Sequence, residues 1–168
     1  RPDSRYFALL AQAQWLHRIG PRAGLIYVRV NWQDASDALL PMEKYAIGGW
    51  YSVRGYRRTQ FVRDNAWDSS VEYRMPLLRV AFPGLSRTAE DGRVYAAAFF
   101  DAGQAWNEDE SGTEPDIIYG AGPGLRWDIN RGIRAELYWG ALRRDIGPRR
   151  GDIQDDGIHF SVSVRQPF

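Results

Sequence analysis

Val94-Tyr95-Ala96-Ala97-Ala98-Phe99-Phe100-Asp101-Ala102-Gly103-Gln104-Ala105-Trp106 is the stretch whose reading decides the fold. Val94, Ala96, Ala98, Phe100 and Ala102 share one parity, while Tyr95, Phe99, Asp101 and Gly103 share the other. A side chain on a strand changes face at every residue, so the pattern describes a strand with one apolar and one polar face. Its length exceeds that of the usual soluble strand and suits a tilted strand crossing a bilayer.

The same alternation recurs on both sides. Residues 6–18 set Phe7, Leu9, Ala11, Ala13 and Trp15 against Gln12 and Gln14. Residues 25–33 set Ile26, Val28, Val30 and Trp32 against Tyr27, Arg29 and Asn31. Residues 69–77 alternate Val71, Tyr73, Met75 and Leu77 with Ser70, Glu72, Arg74 and Pro76. Residues 117–129 alternate Tyr119, Ala121, Pro123, Leu125, Trp127 and Ile129 with Gly120, Gly122, Gly124, Arg126 and Asp128. Residues 133–142 oppose Ile133, Ala135, Leu137, Trp139 and Ala141 to Arg134, Glu136, Tyr138 and Gly140. The last segment opposes Ile158, Phe160, Val162, Val164 and Phe168 to His159, Ser161, Ser163 and Arg165. Seven strands follow, and the fold class is all-β.

The charges on the polar face (Arg29, Glu72, Arg74, Asp101, Arg126, Asp128, Arg134, Glu136, Arg165) admit two architectures. A soluble sandwich would bury the apolar face. An outer-membrane barrel turns it to lipid and keeps the charged face in its lumen. Strand length, charged-face density and an aromatic content of 14%, with seven Trp and nine Tyr, favour the antiparallel transmembrane β-barrel. Trp15, Trp32, Trp106 and Trp139 then read as membrane-rim anchors. Tight turns at 20–24 and 130–132 alternate with longer polar connections at 34–67, 107–116 and 143–157, as barrel turns and external loops do. Residues 78–93 break that alternation and read as an insertion. Seven strands leave unpaired edges that lipid does not tolerate, so further N-terminal strands or a partner chain are expected to close the sheet.

Composition narrows the function. A formal net charge of +1 lacks the basic excess of a nucleic-acid binder. Without cysteine there is no disulfide framework, thiolate metal site or cysteine nucleophile. His17 and His159 have no metal-ligand spacing. Glu108-Asp109-Glu110 and Asp152, Asp155 and Asp156 lack the ordered glycine-and-acid pattern of a calcium loop and read as solvated loop charge. No nucleophile elbow or phosphate loop is present. The chain is read as having no cofactor and no catalytic residue.

One loop remains: Gly48-Gly49-Trp50-Tyr51-Ser52-Val53-Arg54-Gly55-Tyr56, within the connection at about 34–67. From spacing alone it is a glycine-flanked surface loop carrying an arginine. Gly48-Gly49 followed by Val53-Arg54-Gly55-Tyr56 resembles the hallmark loop of the BamA and two-partner-secretion transporter superfamily. Arg63-Asp64-Asn65 with Ser70-Val71-Glu72-Tyr73-Arg74, Phe99-x-Asp101-x-Gly103, and the glycine-rich Tyr119 to Arg126 follow in the order of that family. Terminal Phe160 and Phe168 resemble its C-terminal sorting signal.

The resemblance implies a sixteen-stranded barrel in the outer membrane of a Gram-negative-type bacterium, of which residues 1–168 would form the C-terminal part, about seven strands. It implies recruitment domains upstream, a loop folded into the lumen, and an arginine touching acids on the wall. Glu72 and Asp101 share the lumen face on consecutive strands, so Arg54 is expected to pair with Glu72 or Asp101. Gly120, Gly122 and Gly124 on that face would leave room for the loop. The expected function is transport of an unfolded client polypeptide, in two-partner secretion as in the FhaC and ShlB branch. The alternatives are BamA-like assembly of outer-membrane proteins and a barrel anchor for an envelope phospholipase. Membrane lipid and the barrel-assembly machinery are the other expected partners.

Overall fold

A computed structural model of the chain describes residues 6–20, 24–108, 116–143, 146 and 156–165. Among the described residues ten strands run in chain order: β1 Ala8–Ile19, β2 Gly24–Ala35, β3 Tyr45–Ile47, β4 Phe61–Arg63, β5 Asn65–Arg79, β6 Arg93–Trp106, β7 Asp116–Asp128, β8 Ile133–Trp139, β9 Leu142–Arg143 and β10 Ile158–Val164. One antiparallel sheet follows the order β1-β2-β5-β6-β7-β8-β10, with β9 paired to β7, and β3-β4 form a separate hairpin. Neighbours in the large sheet are neighbours in sequence apart from the inserted hairpin, which is the up-and-down order of a barrel wall.

The polarity is inverted relative to a soluble sandwich. Trp15, Trp32, Val71, Phe100, Leu125, Leu137, Trp139, Phe160 and Val162 are exposed, whereas Asp68, Ser70, Glu72 and Asp101 are buried. What buries the polar face is the segment between β2 and β5, which lies against it.

Register aligns the polar face into rows. Tyr27, Glu72, Phe99 and Gly122 stand opposite one another on β2, β5, β6 and β7. The next rows are Arg29, Ser70, Asp101 and Gly120, then Asn31, Asp68, Gly103 and Ile118. Arg54 reaches Ser70 on β5 while the adjacent Gly55 reaches His159 on β10. Adjacent strands are about 4.8 Å apart, so a flat sheet would separate those partners by roughly 19 Å. The sheet must curl around the loop, as a segment of barrel wall does.

Three boundaries differ from the sequence reading. β5 starts at Asn65 rather than near residue 69, so the inserted segment ends at Asp64 and itself contains the β3-β4 hairpin. The strand expected at 133–142 is interrupted at Gly140 and Ala141. Gly124 pairs with Tyr138 but Gly120 pairs with Arg143, which inserts one extra residue on the outer strand. Gly140 N–H donates to Gly157 O at 2.9 Å, and Ala141 N–H turns back to Trp139 O at 3.0 Å. Finally, 78–93 is not a simple insertion. The β5-β6 ladder runs on past a bulge between Pro76 and Leu78, and Val80 N–H still donates to Gly92 O at 2.7 Å.

Candidate functional site

The tip of the inserted segment is organised around one guanidinium. Arg54 Nε donates to Asp101 Oδ2 at 2.7 Å and Nη2 to Asp101 Oδ1 at 2.9 Å, a two-point contact with one carboxylate. The Arg54 backbone N–H adds a third bond to Asp101 Oδ2 at 3.0 Å. Nη1 donates to Glu72 Oε2, and Nη2 also donates to Ser70 Oγ at 3.0 Å. Sequence reasoning expected one acid or the other; the structure brings both to Arg54. The diagonal offset of Glu72 and Asp101 on neighbouring strands lets one planar fork reach both.

The clamp has aromatic faces as well. The guanidinium carbon lies 3.9 Å from the Phe99 ring centroid and 4.6 Å from that of Tyr138. Tyr138 O–H and Arg74 Nε then both donate to Glu72 Oε1, at 2.7 and 2.6 Å. Burial alone would lower the proton affinity of Arg54, but Asp101 and Glu72 more than offset this and hold it above the ordinary arginine range. The guanidinium charge is therefore permanent.

Phe99, Asp101 and Gly103 occupy three successive lumen positions of β6, each doing something different. Phe99 lies under the guanidinium and Asp101 binds it. A Cβ at Gly103 would stand 3.1 Å from Val53 Cγ2, so the glycine admits the buried Val53. Val53 and Tyr56 join Ile47, Ala66, Ala105 and Ile118 in an apolar cluster inside the polar face. Tyr56 O–H donates to Tyr119 O at 2.8 Å.

The three lumen glycines divide. A Cβ at Gly120 would collide with the Arg54 carbonyl oxygen, so this position makes room for the loop. Those at Gly122 and Gly124 would collide with the Trp139 carbonyl and the Tyr138 ring. They serve the interrupted outer strand, which is a correction to their expected role. Gly55, with φ +97°, approaches the Gly140 backbone where neither residue has room for a side chain. That contact explains why β8 breaks where it does. The neighbouring Gly55 N–H donates to His159 Nε2 at 3.0 Å, a contact absent from the sequence reading.

The base of the segment has its own anchors: Asp64 and Asn65 belong to the quoted motif and Arg29 and Asn31 to the polar face, but no contact was expected of any of them. Asp64 accepts from Leu39 N–H and Lys44 Nζ at 2.9 Å each. Asn65 Oδ1 accepts from Ala35 N–H at 2.6 Å, and Gln33 Nε2 donates to Glu43 O and Asp64 O at 3.0 Å each. Fully buried Asp68 accepts from Asn31 at 3.1 Å, Arg29 at 3.4 Å and Tyr45 O–H at 2.6 Å. Burial, and then the Asp68 carboxylate, hold the Tyr45 phenol above the ordinary tyrosine range. Arg29 also donates to Ser52 O at 3.2 Å, tying base to tip. The available signal was parity: Gln33, Asp68 and Arg29 share the lumen face with Ser70 and Glu72.

Phe160 is exposed on the outward face of β10. Phe168, Asp109, Glu110, Asp152 and Asp155 lie outside the described residues.

The family model described as the Omp85 superfamily domain matches residues 2–165. No curated protein matches the chain.

Proposed function

The chain belongs to the Omp85 superfamily of outer-membrane protein transport and assembly barrels, and from that premise we propose that it forms part of a polypeptide-conducting pore for two-partner secretion. The observation that carries this reading is the occupied lumen. A segment of the chain fills the polar face through contacts radiating from one side chain, Arg54. A plug that must yield to an unfolded client is well held by charge-assisted hydrogen bonds, because a wet, polar competitor replaces them at small net cost.

Transport rather than catalysis suits the same geometry. Glu72 receives Arg54, Arg74 and Tyr138, and Asp101 receives three bonds from Arg54 alone. Carboxylates engaged on both oxygens by guanidinium and phenol donors are poorly placed to meet a substrate. The client is an extended polypeptide, and the surrounding partner is lipid.

The test is secretion of a co-expressed candidate partner protein by the full-length protein and its Arg54→Ala variant. Secretion should fall several-fold while barrel still inserts into the outer membrane. Undiminished secretion would sink the proposed role of the clamp. Defective assembly of unrelated outer-membrane proteins on depletion, with secretion intact, would move the reading to BamA-like assembly.

A further inference from the structure

The β5-β6 connection carries a feature that transport does not use. Up to Met75 the outward residues of β5 are odd-numbered. Leu77 is then the extra residue of the bulge, and pairing resumes with Leu78 opposite Val94. Val94 stands opposite Trp127, which stands opposite Ala135. Leu78, Val94, Trp127 and Ala135 thus form one outward row across four strands. The bulge has switched the parity, so that Val80 also lies on the outward side as the ladder continues to Gly92.

Beyond Val80 the chain folds over that row. Trp127 Nε1 donates to Val80 O at 3.0 Å, and the Phe82 ring lies 6.1 Å from the Trp127 ring. Trp127 points outward, so Phe82 is on the outward side too. Val94 is buried beneath this cover, but Leu77, Leu78, Val80 and Phe82 remain 44–56% exposed.

The connection is also braced from below. Phe82 N–H donates to Ser86 Oγ at 2.9 Å, Ser86 Oγ to Ile129 O at 2.7 Å, and Asn130 Nδ2 to Leu85 O at 3.2 Å. Arg79 donates to Asp91 O and Thr88 O at 2.8 and 2.9 Å. Asp91 Oδ2 accepts from Arg87 N–H and Thr88 N–H at 2.8 Å each. A connection held this firmly could tuck its apolar side chains inward, yet it presents them continuously with the lipid-facing side of the wall.

We propose that residues 80–92 form an interfacial shelf seated in the phospholipid headgroup layer, with Leu78, Val80 and Phe82 in lipid and Trp127 at the boundary. The occupant is phospholipid because the patch prolongs the outward apolar face without a break. Exposed Arg87 and Arg131 lie on the same pair of connections, where they can meet phosphates. Glu90 is turned to Arg93 in an ion pair. The shelf enlarges the lipid contact of the β5-β7 sector at this rim and fixes its depth in the bilayer. The inference rests on the outer-membrane barrel reading.

Residues 1–168 contain no cysteine, so once any cysteine elsewhere in the full-length protein is replaced by serine a single-site label reports one position. The full-length protein would be reconstituted into phosphatidylethanolamine–phosphatidylglycerol vesicles with an environment-sensitive dye at Phe82→Cys, or at Leu125→Cys on the outward face of β7. Lipid-borne quenchers at headgroup depth and at mid-chain depth are compared with aqueous iodide. The shelf requires quenching at Phe82→Cys by the shallow lipid quencher and several-fold weaker iodide quenching than at Met42→Cys, an almost fully exposed position in the segment between β2 and β3. If Leu125→Cys responds to lipid but Phe82→Cys responds to iodide, the shelf is wrong and the barrel stands. If Phe82→Cys is shielded from both, protein covers the patch and the shelf is again wrong. If Leu125→Cys ignores lipid as well, the barrel reading itself fails.

Discussion

The tip and the base of the inserted segment are attached to the same wall by different physics. At the tip, five hydrogen bonds leave one residue, Arg54, for two carboxylates and a hydroxyl. At the base the bonds are spread over Gln33, Lys44, Tyr45, Asp64, Asn65 and Asp68, and many end on backbone. Rotation of one side chain breaks four of the five Arg54 bonds at once and leaves its backbone N–H bond to Asp101, whereas the base must be dismantled piece by piece.

The sharpest way to break the comparison is Arg54→Ala. Glu72 and Asp101 would be left buried with much of their compensation gone, at a cost of about 3–5 kcal/mol. Urea unfolding in detergent micelles should show that loss, and amide exchange should rise at 48–56 before 64–68. Arg54→Lys should recover only part of it, because an ammonium cannot fork onto Asp101 while reaching Glu72. Equal loosening of tip and base would refute the division.

Asp68→Asn attacks the base. An amide can replace one acceptor of Arg29, Asn31 and Tyr45 but brings its own donors to a fully buried site, for a loss of about 1–3 kcal/mol. Combined with Arg54→Ala, the two effects should add to within about 0.5 kcal/mol if tip and base are separate. A larger coupling energy would mean that Arg29, which touches both Asp68 and Ser52, makes them one unit.

Gly120→Ala tests the tip sterically, without touching its charges. The new methyl would fall on the Arg54 carbonyl, at an overpacking cost of about 1–3 kcal/mol, and amide protection at 48–56 should drop with it.

The smallest effect is alkaline. Tyr45 holds its proton above the ordinary tyrosine range, so its contribution is complete below the unfolded value of about 10 and declines as pH rises past it. Exchange at 43–47 should rise in that window. A Tyr45→Phe variant should lose the pH dependence.

How much of this was legible beforehand depended on whether a contact follows from parity. Arg29, Glu72 and Asp101 fall on the lumen face by counting in twos, and all three engage the segment. The bulge at Leu77 and the interruption at Gly140 cannot be counted out. Each adds one residue to a strand, and each owes its position to atoms far away in sequence. For Gly140 those atoms are the backbone of Gly55. For Leu77, the flip keeps Leu78 and Val80 beside Trp127. The glycine-rich strand shows the same limit. Its three glycines look alike in sequence, yet only Gly120 borders Arg54, because only there does the segment descend to the wall.

By itself, then, the order of residues determined an antiparallel all-β wall, which face of it is apolar, and a glycine-flanked loop with one arginine; that this arginine meets wall acids came from the family resemblance. Period-two alternation is a local property of the extended chain, so it survives without knowledge of the fold. Only the tertiary structure decided that Arg54 binds Asp101 and Glu72 together, that Phe99 and Tyr138 enclose it, and that His159 and Asp68 take part. Those contacts depend on curl, register and bulges, which arise when strands distant in sequence are brought side by side.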